Sequence, residues 1–396
     1  MKQFKNFFYK FSAIVILLNF CCINASFAQS QEANMDSVEF SLLTCSPHDE
    51  VYSIYGHTAI RLNEKNRRED WTFNYGVFDF KKPYFVARFL FGLTDYQLGV
   101  LPYDIFKREY GKQNRQVVEQ VLNLTATEKL KLYSALMTNY EPENRVYRYN
   151  FLYNNCTTKA RDIIESCIDG KVEYAVEEPF PSYREMIHEH SLGYEWIEFG
   201  NDMCMGAKAD IPTDLRKQQF LPLRLSYDFN RAQIYSNGTY RPLVKRQAVA
   251  VAAGVQVIEP GFPLSPTACA LIFLGLSVAI AFVEHKRKKT FKAWDVTLMA
   301  VTGICGVLLL LLFVSQHPTT STNLQILVLN PMSLFFIYKV IKGKQTIYWK
   351  LSAMLIILFL IGRFFQDYAD GMIIVALSLL MRSWIHLKKS PHTTKR

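Results

Sequence analysis

Five long apolar runs in the C-terminal third of the chain constrain its fold more than any other feature. They cover residues 265–283, 296–315, 324–341, 349–365 and 371–387. Each is close to the roughly 20 residues that an α-helix needs to cross a bilayer. The sequence therefore predicts that residues 265–396 form an all-α bundle of about five transmembrane helices.

The charges between these runs predict the orientation of the bundle. Clusters of Lys and Arg follow the first, third and fifth runs, whereas loops 315–323 and 366–371 contain neither residue type. Because positively charged loops stay in the cytoplasm, we expect residues 29–264 in the periplasm and the C-terminus in the cytoplasm. The chain is then an inner-membrane protein.

The positive charge of the chain has the same origin. From Glu284 onward, 15 Lys and Arg stand against 4 Asp and Glu, a net charge of +11, while the whole chain carries +10. The rest of the chain is therefore nearly neutral. No basic surface for nucleic acid is expected.

The first 28 residues have the pattern of a secretory signal peptide. Three lysines precede an apolar run at 11–24, and the small-residue cleavage motif ends at Ala28. We expect residues 1–28 to be removed, residues 29–200 to form a periplasmic domain, and residues 201–264 to form a periplasmic linker region.

Cys156 lies in the motif Asn-Asn-Cys-Thr-Thr, at the predicted start of a helix. Asn155 is a suitable N-cap, and apolar residues follow at helical spacing. A thiol in the first helical turn faces the positive end of the helix dipole, which lowers its pKa. Cys156 is thus a candidate nucleophile, and the N–H groups of that turn are candidate donors to an oxyanion.

His57 stands at the start of a predicted strand, and a second strand follows a polar turn. A hairpin folded about residues 65–66 puts Asn74 opposite His57, on the polar face that also carries Arg61. His57 is therefore a candidate general base. Asn74 is the candidate that would orient its imidazole, the third role in a catalytic triad.

Each of these residues also has an ordinary explanation. A single cysteine in an exported protein is commonly structural or disulfide-bonded, and a single histidine commonly belongs to the core or the surface. Beside Cys156, the exported part contains Cys45, Cys167 and Cys204. At most one disulfide can form among these three, and the pair is left open.

Several longer stretches match a known family in combination. They are GHTAIRL (56–62), FNYGVFDF (73–80), ARFLFGLTDYQLGVLPYDIF (87–106), ENRVYRYNFLYNNCTTKARDII (143–164), His317 and Leu-Asn-Pro (329–331). With these stretches the chain resembles the Lnb family of bacterial lipoprotein N-acyltransferases. The order of histidine before cysteine is similar to that of circularly permuted papain-like (NlpC-type) enzymes.

The resemblance implies an α+β permuted papain-like (NlpC-type) periplasmic domain, followed by the helical bundle. Cys156 would be the nucleophile and His57 the base, with Asn74 as the third catalytic residue. The acyl donor would be a membrane phospholipid and the acceptor a diacylated lipoprotein, with no cofactor and no metal. The candidate substrate-binding residues are Arg61, Asn155, Thr157, His317 and Asn330.

Some features keep two interpretations. The Asn330-Pro331 pair could bind a lipid head group or only kink a helix, and His317 could be functional or incidental. The aromatic stretch at 84–93 could line an acyl-chain groove or form a buried helix on the sheet. The whole protein could instead be a cysteine peptidase or amidase acting on cell-wall peptides, or a non-catalytic envelope assembly protein.

Overall fold

The computed structural model describes residues 35–50, 53–78, 83–255, 261–344 and 346–389. The predicted signal peptide, residues 1–28, lies outside these ranges. The described chain forms an N-terminal α+β domain followed by a helical part. The prediction that an α+β domain precedes a helical C-terminal region is therefore confirmed.

A seven-stranded antiparallel sheet forms the centre of the N-terminal domain, in the order β10-β5-β1-β2-β3-β4-β6. A second, three-stranded sheet has the order β7-β8-β9. In chain order the strands are β1 (Val38–Cys45), β2 (His57–Glu64), β3 (Glu69–Val77), β4 (Asp95–Pro102), β5 (Val117–Leu122), β6 (Val146–Arg148), β7 (Lys171–Glu173), β8 (Gln233–Ser236), β9 (Thr239–Pro242) and β10 (Val244–Val251).

The helices of the N-terminal domain are α1 (Phe85–Leu90), α2 (Tyr103–Lys112), α3 (Ala126–Tyr140), α4 (Cys156–Ser166), α5 (Tyr183–Ser191), α6 (Glu195–Cys204), α7 (Leu215–Gln218) and α8 (Pro222–Arg231). Four of them cover the two faces of the large sheet. Helices α3, α4 and α8 pack on the face that carries Ile60 and Phe73. Helix α2 packs on the other face, against Leu43 and Ala59. Strand β2 is therefore buried on both sides, and its two ends are held in place.

Residues 201–264 differ from the predicted linker over most of their length. Strand β10 pairs with β5 along one edge of the sheet, and Leu225 and Phe229 of α8 are fully buried in the main core. Most side chains of β10 are exposed, so the strand has no apolar pattern that would have revealed it. It is held by backbone pairing with a strand more than 100 residues away.

The helical part contains α9 (Pro266–Arg287), α10 (Lys292–Phe313), a short 3-10 turn (Leu324–Leu327), α11 (Ser333–Ile341), α12 (Tyr348–Gly362) and α13 (Met372–Lys389). Among the described helices, α9 and α10 are long and apolar enough to cross a membrane. The five predicted spans thus correspond to two clear ones. Helix α12 has 15 residues, and α13 contains a buried arginine.

The third predicted span, 324–341, is not one continuous helix. The chain breaks at Asn330-Pro331, because proline lacks an N–H and its ring obstructs the preceding turn. Gly306 of α10 accommodates this break. A Cβ at Gly306 would lie 2.5 Å from both the Leu329 carbonyl oxygen and the Pro331 nitrogen. The predicted helix break is therefore present, and it shortens this span to the nine residues of α11.

A buried ion-pair cluster ties α13 to the two long helices. The Arg382 guanidinium donates to Glu284 of α9 at 2.7 Å and to Asp295 of α10 at 2.6 Å. All three side chains are almost completely buried. Pairing is what makes a charge tolerable at this position in the bundle.

The helical part contacts the N-terminal domain at one end. Gln316 N–H donates to the Phe91 carbonyl at 3.0 Å, and Gln366 Nε2 donates to the Met205 carbonyl at 3.1 Å. Both contacts belong to the loops that lack Lys and Arg. The basic cluster at 286–289 lies at the other end of α9.

Candidate active site

Helix α4 begins at Cys156, and its first turn is fully capped. The Asn155 side-chain oxygen accepts hydrogen bonds from the N–H groups of Thr157 and Thr158, each at 2.9 Å. The Thr158 hydroxyl in turn accepts from the Asn155 N–H at 2.9 Å. This reciprocal arrangement is a capping box, and the predicted N-cap is confirmed. It holds the backbone of Cys156 in one position.

His57 and Asn74 lie beside Cys156. The His57 ring nitrogen Nε2 is 3.2 Å from the Asn74 oxygen Oδ1, and the imidazole also hydrogen-bonds the Cys156 sulfur. The Asn74 amide donates to the Thr72 carbonyl at 3.3 Å, which turns its oxygen towards the ring. The structure thus brings together the three candidate residues Cys156, His57 and Asn74.

The hairpin that positions Asn74 has a different register from the predicted one. Ile60 pairs with Phe73 and Glu64 with Glu69, so the turn covers residues 65–68 and Asn74 comes level with Ala59 instead of His57. The shift is two residues. Because side chains alternate between faces, a shift of two keeps Asn74 on the same face as His57. The diagonal pair still comes within hydrogen-bonding distance.

Gly76 lies beside the cysteine, in a backbone conformation that favours glycine. The pairing of β3 with β4 shifts between Asn74 and Val77, which is a β-bulge, and Gly76 within it has a φ of +91°. A Cβ at Gly76 would lie 3.7 Å from the Cβ of Cys156. Glycine adopts this backbone conformation without the steric cost of a side chain. The bulge bends β3 around the start of α4.

Cys156 and His57 shift each other's pKa values towards the charged forms. Burial alone would raise the pKa of the Cys156 thiol, but the His57 charge, the His57 hydrogen bond, the Thr58 N–H and the Thr157 hydroxyl together lower it to about 7. Burial alone would lower the pKa of His57, and the interactions with Cys156 and Asn74 raise it above its ordinary value. The site therefore favours a thiolate beside an imidazolium near neutral pH.

The donors available to an oxyanion differ from those expected. The N–H groups of Thr157 and Thr158 are occupied by Asn155. Tyr147 offers another donor, since its buried hydroxyl has no hydrogen-bond partner among the described residues. Burial raises the pKa of Tyr147, so the phenol stays protonated. Sequence reasoning missed this residue, whose one signal was an alternating strand pattern beginning at Tyr147.

The structure does not bring Arg61 to the thiol. Its guanidinium pairs with Asp70 at 2.7 Å and Glu119 at 2.8 Å, and it lies 3.7 Å from the centre of the Tyr103 ring. These contacts use the guanidinium for internal pairing. In this arrangement Arg61 joins β2, β3 and β5.

Two further candidates, Asn155 and Thr157, adjoin Cys156 but are committed to internal contacts. The Asn155 side chain accepts two hydrogen bonds at the cap and donates two, to the Phe151 and Phe220 carbonyls, each at 2.8 Å. This satisfies its amide completely. The buried Thr157 hydroxyl lies 3.1 Å from the Thr58 hydroxyl and 3.8 Å from the Cys156 sulfur. Both residues therefore hold Cys156 in position.

The two candidates in the helical part make other contacts. His317 Nε2 donates to the Phe89 carbonyl at 2.8 Å, and its ring meets the edge of the Phe89 ring. The Asn330 side chain accepts from the Met332 N–H at 2.9 Å at the helix break. His317 thus joins the helical part to α1, and Asn330 stabilises a turn.

No disulfide links the described cysteines. Cys45, Cys167 and Cys204 are all free, and the first two are buried. One cluster of described residues, His188, Glu198 and Asp202, has the spacing of a metal site. The Arg184 guanidinium already pairs with Asp202 at 2.6 Å, so the charge of this carboxylate is matched within the protein.

Two family profiles match the chain. One is described as the Lnb N-terminal periplasmic domain and matches residues 27–189, and the other is the Lnb transmembrane domain and matches residues 258–393. The chain belongs to the Lnb family. As an Lnb protein it has a periplasmic domain, which contains His57, Asn74 and Cys156, and a membrane-anchoring domain. No curated protein and no solved structure matches the chain.

Proposed function

We propose that this Lnb protein is a lipoprotein N-acyltransferase. It would move an acyl chain from a membrane phospholipid, through a Cys156 thioester, to the α-amine of the diacylglyceryl-cysteine at a lipoprotein N-terminus. The observation that carries the proposal is the Cys156–His57–Asn74 arrangement in a periplasmic domain hydrogen-bonded to the ends of membrane helices. A hydrolase of soluble peptides has no evident need of that attachment.

In the first half-reaction the Cys156 thiolate attacks the carbonyl carbon of a phospholipid ester. The negative charge moves to the carbonyl oxygen, where the Tyr147 hydroxyl would donate a hydrogen bond. The ester C–O bond then breaks, and the His57 imidazolium gives its proton to the departing oxygen. The products are an acyl thioester and a lysophospholipid.

In the second half-reaction the lipoprotein amine attacks the thioester. Neutral His57 accepts the proton that the amine loses, and Cys156 leaves as a thiolate while the amide forms. Asn74 keeps the imidazole ring in one orientation through both steps. The acyl donor and acceptor both lie in the outer leaflet, so membrane attachment raises their effective concentration at the site.

We extend the proposal to the fold and topology. The cysteine helix packed on an antiparallel sheet that carries an earlier histidine supports a permuted papain-like domain. The agreement between the uncharged loops and the contacts with the periplasmic domain supports a cytoplasmic C-terminus in the inner membrane. Helices α11, α12 and α13 would then complete a bundle of about five membrane segments.

The test is to trap the intermediate. Full-length protein incubated with acyl-labelled phospholipid and no lipoprotein should carry label on Cys156 that neutral hydroxylamine removes. Adding a diacylated lipoprotein should transfer the label to its N-terminus as a hydroxylamine-resistant amide. Cys156→Ala should take no label through a thioester.

Cys204→Ser is the matched control, because Cys204 is exposed and free, and the variant should behave like the wild type. If Cys156 never takes label while cell-wall peptides are cleaved, the peptidase or amidase alternative replaces this proposal. If neither reaction occurs, the non-catalytic alternative gains support.

A further inference from the structure

Helix α1 exposes an unusually apolar surface. Tyr84 is 84%, Val86 80% and Phe89 50% exposed, and no residue of the helix is buried. Its one charged residue, Arg88, pairs with Asp95 at 2.6 Å and donates to the Leu93 carbonyl. The alternative of a buried helix packed on the sheet is therefore wrong. An apolar surface of this kind marks an interaction site.

The position of α1 identifies the environment of this surface. The Phe91 carbonyl accepts from Gln316 at 3.0 Å, and the Phe89 carbonyl accepts from His317 at 2.8 Å. Gln316 lies three residues beyond the end of α10 at Phe313, a helix long and apolar enough to cross the bilayer. The end of a membrane helix marks the edge of the hydrocarbon, so α1 lies at that level.

The backbone just after α1 lies close to the backbone of the loop at Gln316 and His317. A Cβ at Gly92, just after α1, would lie 3.2 Å from the Gln316 carbonyl carbon and from the His317 nitrogen. Gly92 has a φ of +69°, which also favours glycine. The height of α1 relative to the bilayer is therefore set by backbone packing as well as by hydrogen bonds.

A series of aromatic rings leads from α1 towards the nucleophile. The centre of the Phe85 ring is 6.3 Å from that of Phe89 and 6.3 Å from that of Phe78. The Tyr96 ring lies 5.0 Å from Phe78 and 4.1 Å from Tyr149. Tyr149 is in turn close enough to Cys156 for the two groups to interact electrostatically. Rings at these spacings contact one another, so aromatic side chains continue from α1 through the buried Tyr96 to the neighbourhood of Cys156.

We propose that α1 lies in the outer leaflet of the membrane, with Tyr84, Val86 and Phe89 among the lipid chains, and that the ring series guides a phospholipid acyl chain to Cys156. A short helix with aromatic and aliphatic side chains at the bilayer surface is a monotopic membrane element. The acyl path rests on the proposed function. The location of α1 does not.

The location is tested on full-length protein in phosphatidylcholine vesicles. A bimane fluorophore is attached at Val86→Cys or at Val249→Cys, in a background with Cys156→Ser and Cys204→Ser, and the parent signal is subtracted. Val249 is the matched control because it is a valine, 58% exposed, on edge strand β10. Lipids with a spin label on the acyl chain should quench the fluorescence of Val86→Cys at least threefold more strongly than that of Val249→Cys. Equal quenching would overturn the proposal.

The path is tested with Val86→Asp and Val249→Asp and two donors. Acylation of Cys156 from long-chain phosphatidylcholine in vesicles should be at least tenfold slower in Val86→Asp, and acylation from monomeric dihexanoyl phosphatidylcholine should be unchanged. Val249→Asp should match the wild type with both donors. Because Val86 is exposed, its substitution leaves the core intact.

The outcomes separate the two proposals. Equal acylation of Val86→Asp and wild type from vesicles overturns the acyl path. Equal loss of acylation from both donors also overturns it, because α1 would then support the catalytic site itself and not the access of bilayer lipid. If the wild type is acylated by neither donor, the proposed function fails, and the quenching experiment still decides where α1 lies.

Discussion

Removing the His57 imidazole should slow alkylation of Cys156 at pH 7 by about 50-fold. With the pKa of Cys156 lowered to about 7, roughly half of the thiol is ionised at that pH. In His57→Ala the charge and hydrogen bond of His57 are lost, while the burial that raises the pKa and the contacts with Thr58 and Thr157 that lower it stay. The pKa should then return towards its ordinary value of 9.0, where about 1% is thiolate at pH 7.

The rate of Cys156 alkylation should rise with pH in both the wild type and His57→Ala. Alkylation of the wild type by iodoacetamide should reach half of its maximum near pH 7, because the thiolate is the reacting species. In His57→Ala the midpoint should move up towards pH 9, the ordinary value for a cysteine thiol. The rate should therefore differ most at neutral pH and converge in strong base.

The assay is mass spectrometry of the Cys156 peptide after timed alkylation of the full-length protein in detergent. The exposed Cys204 serves as an internal reference and should react equally in both proteins. Cys45 should not react, since burial raises its pKa to about 12. If the alkylation rate of Cys156 at pH 7 differs by less than threefold between the two proteins, and that of Cys204 is unchanged, the conclusion that His57 ionises the Cys156 thiol is refuted.

Three other predictions concern separate parts of the molecule. Tyr147→Phe should slow thioester formation by about 100-fold, because it removes an oxyanion donor. It should leave the alkylation rate of Cys156 unchanged, because it does not touch the thiolate. An equal loss of both rates would mean that Tyr147 activates the thiol. Arg61→Leu should destabilise the protein by about 3 kcal/mol in thermal unfolding, because two carboxylates lose their partner, with Cys156 alkylation in the folded protein unchanged. A reporter active only in the periplasm should fail when fused after Arg396, and its activity there would mean an even number of spans.

Local features of the site followed from the sequence because their causes lie within a few residues. The Asn155 cap precedes the helix that it caps, and the break at Pro331 follows from the proline ring itself. His57 and Asn74 share a face because side chains alternate along the hairpin, and this held even though the register was two residues away from the prediction.

Other features depended on residues far away in the chain. Arg61 had the polar pattern of a binding residue, but Glu119 on another strand pairs with it, and no local pattern announces a partner 58 residues away. Strand β10 joined the sheet although its side chains are mostly exposed. Tyr147 became an oxyanion candidate because β6 places its hydroxyl beside Gly76, on the side where Cys156 also lies.

By itself, the sequence determined the apolar helices, the charge asymmetry between their loops, the caps and the pairing of a histidine strand with a cysteine helix. Each of these is set by short-range periodicity or by the conformational limits of single residues. Only the tertiary structure decided which polar groups are left without internal partners and where the aromatic helix α1 lies. Those outcomes depend on packing between segments far apart in the chain, such as Phe89 and His317, which are 228 residues apart. The contacts arise when the whole chain has folded, so no window of the sequence contains them.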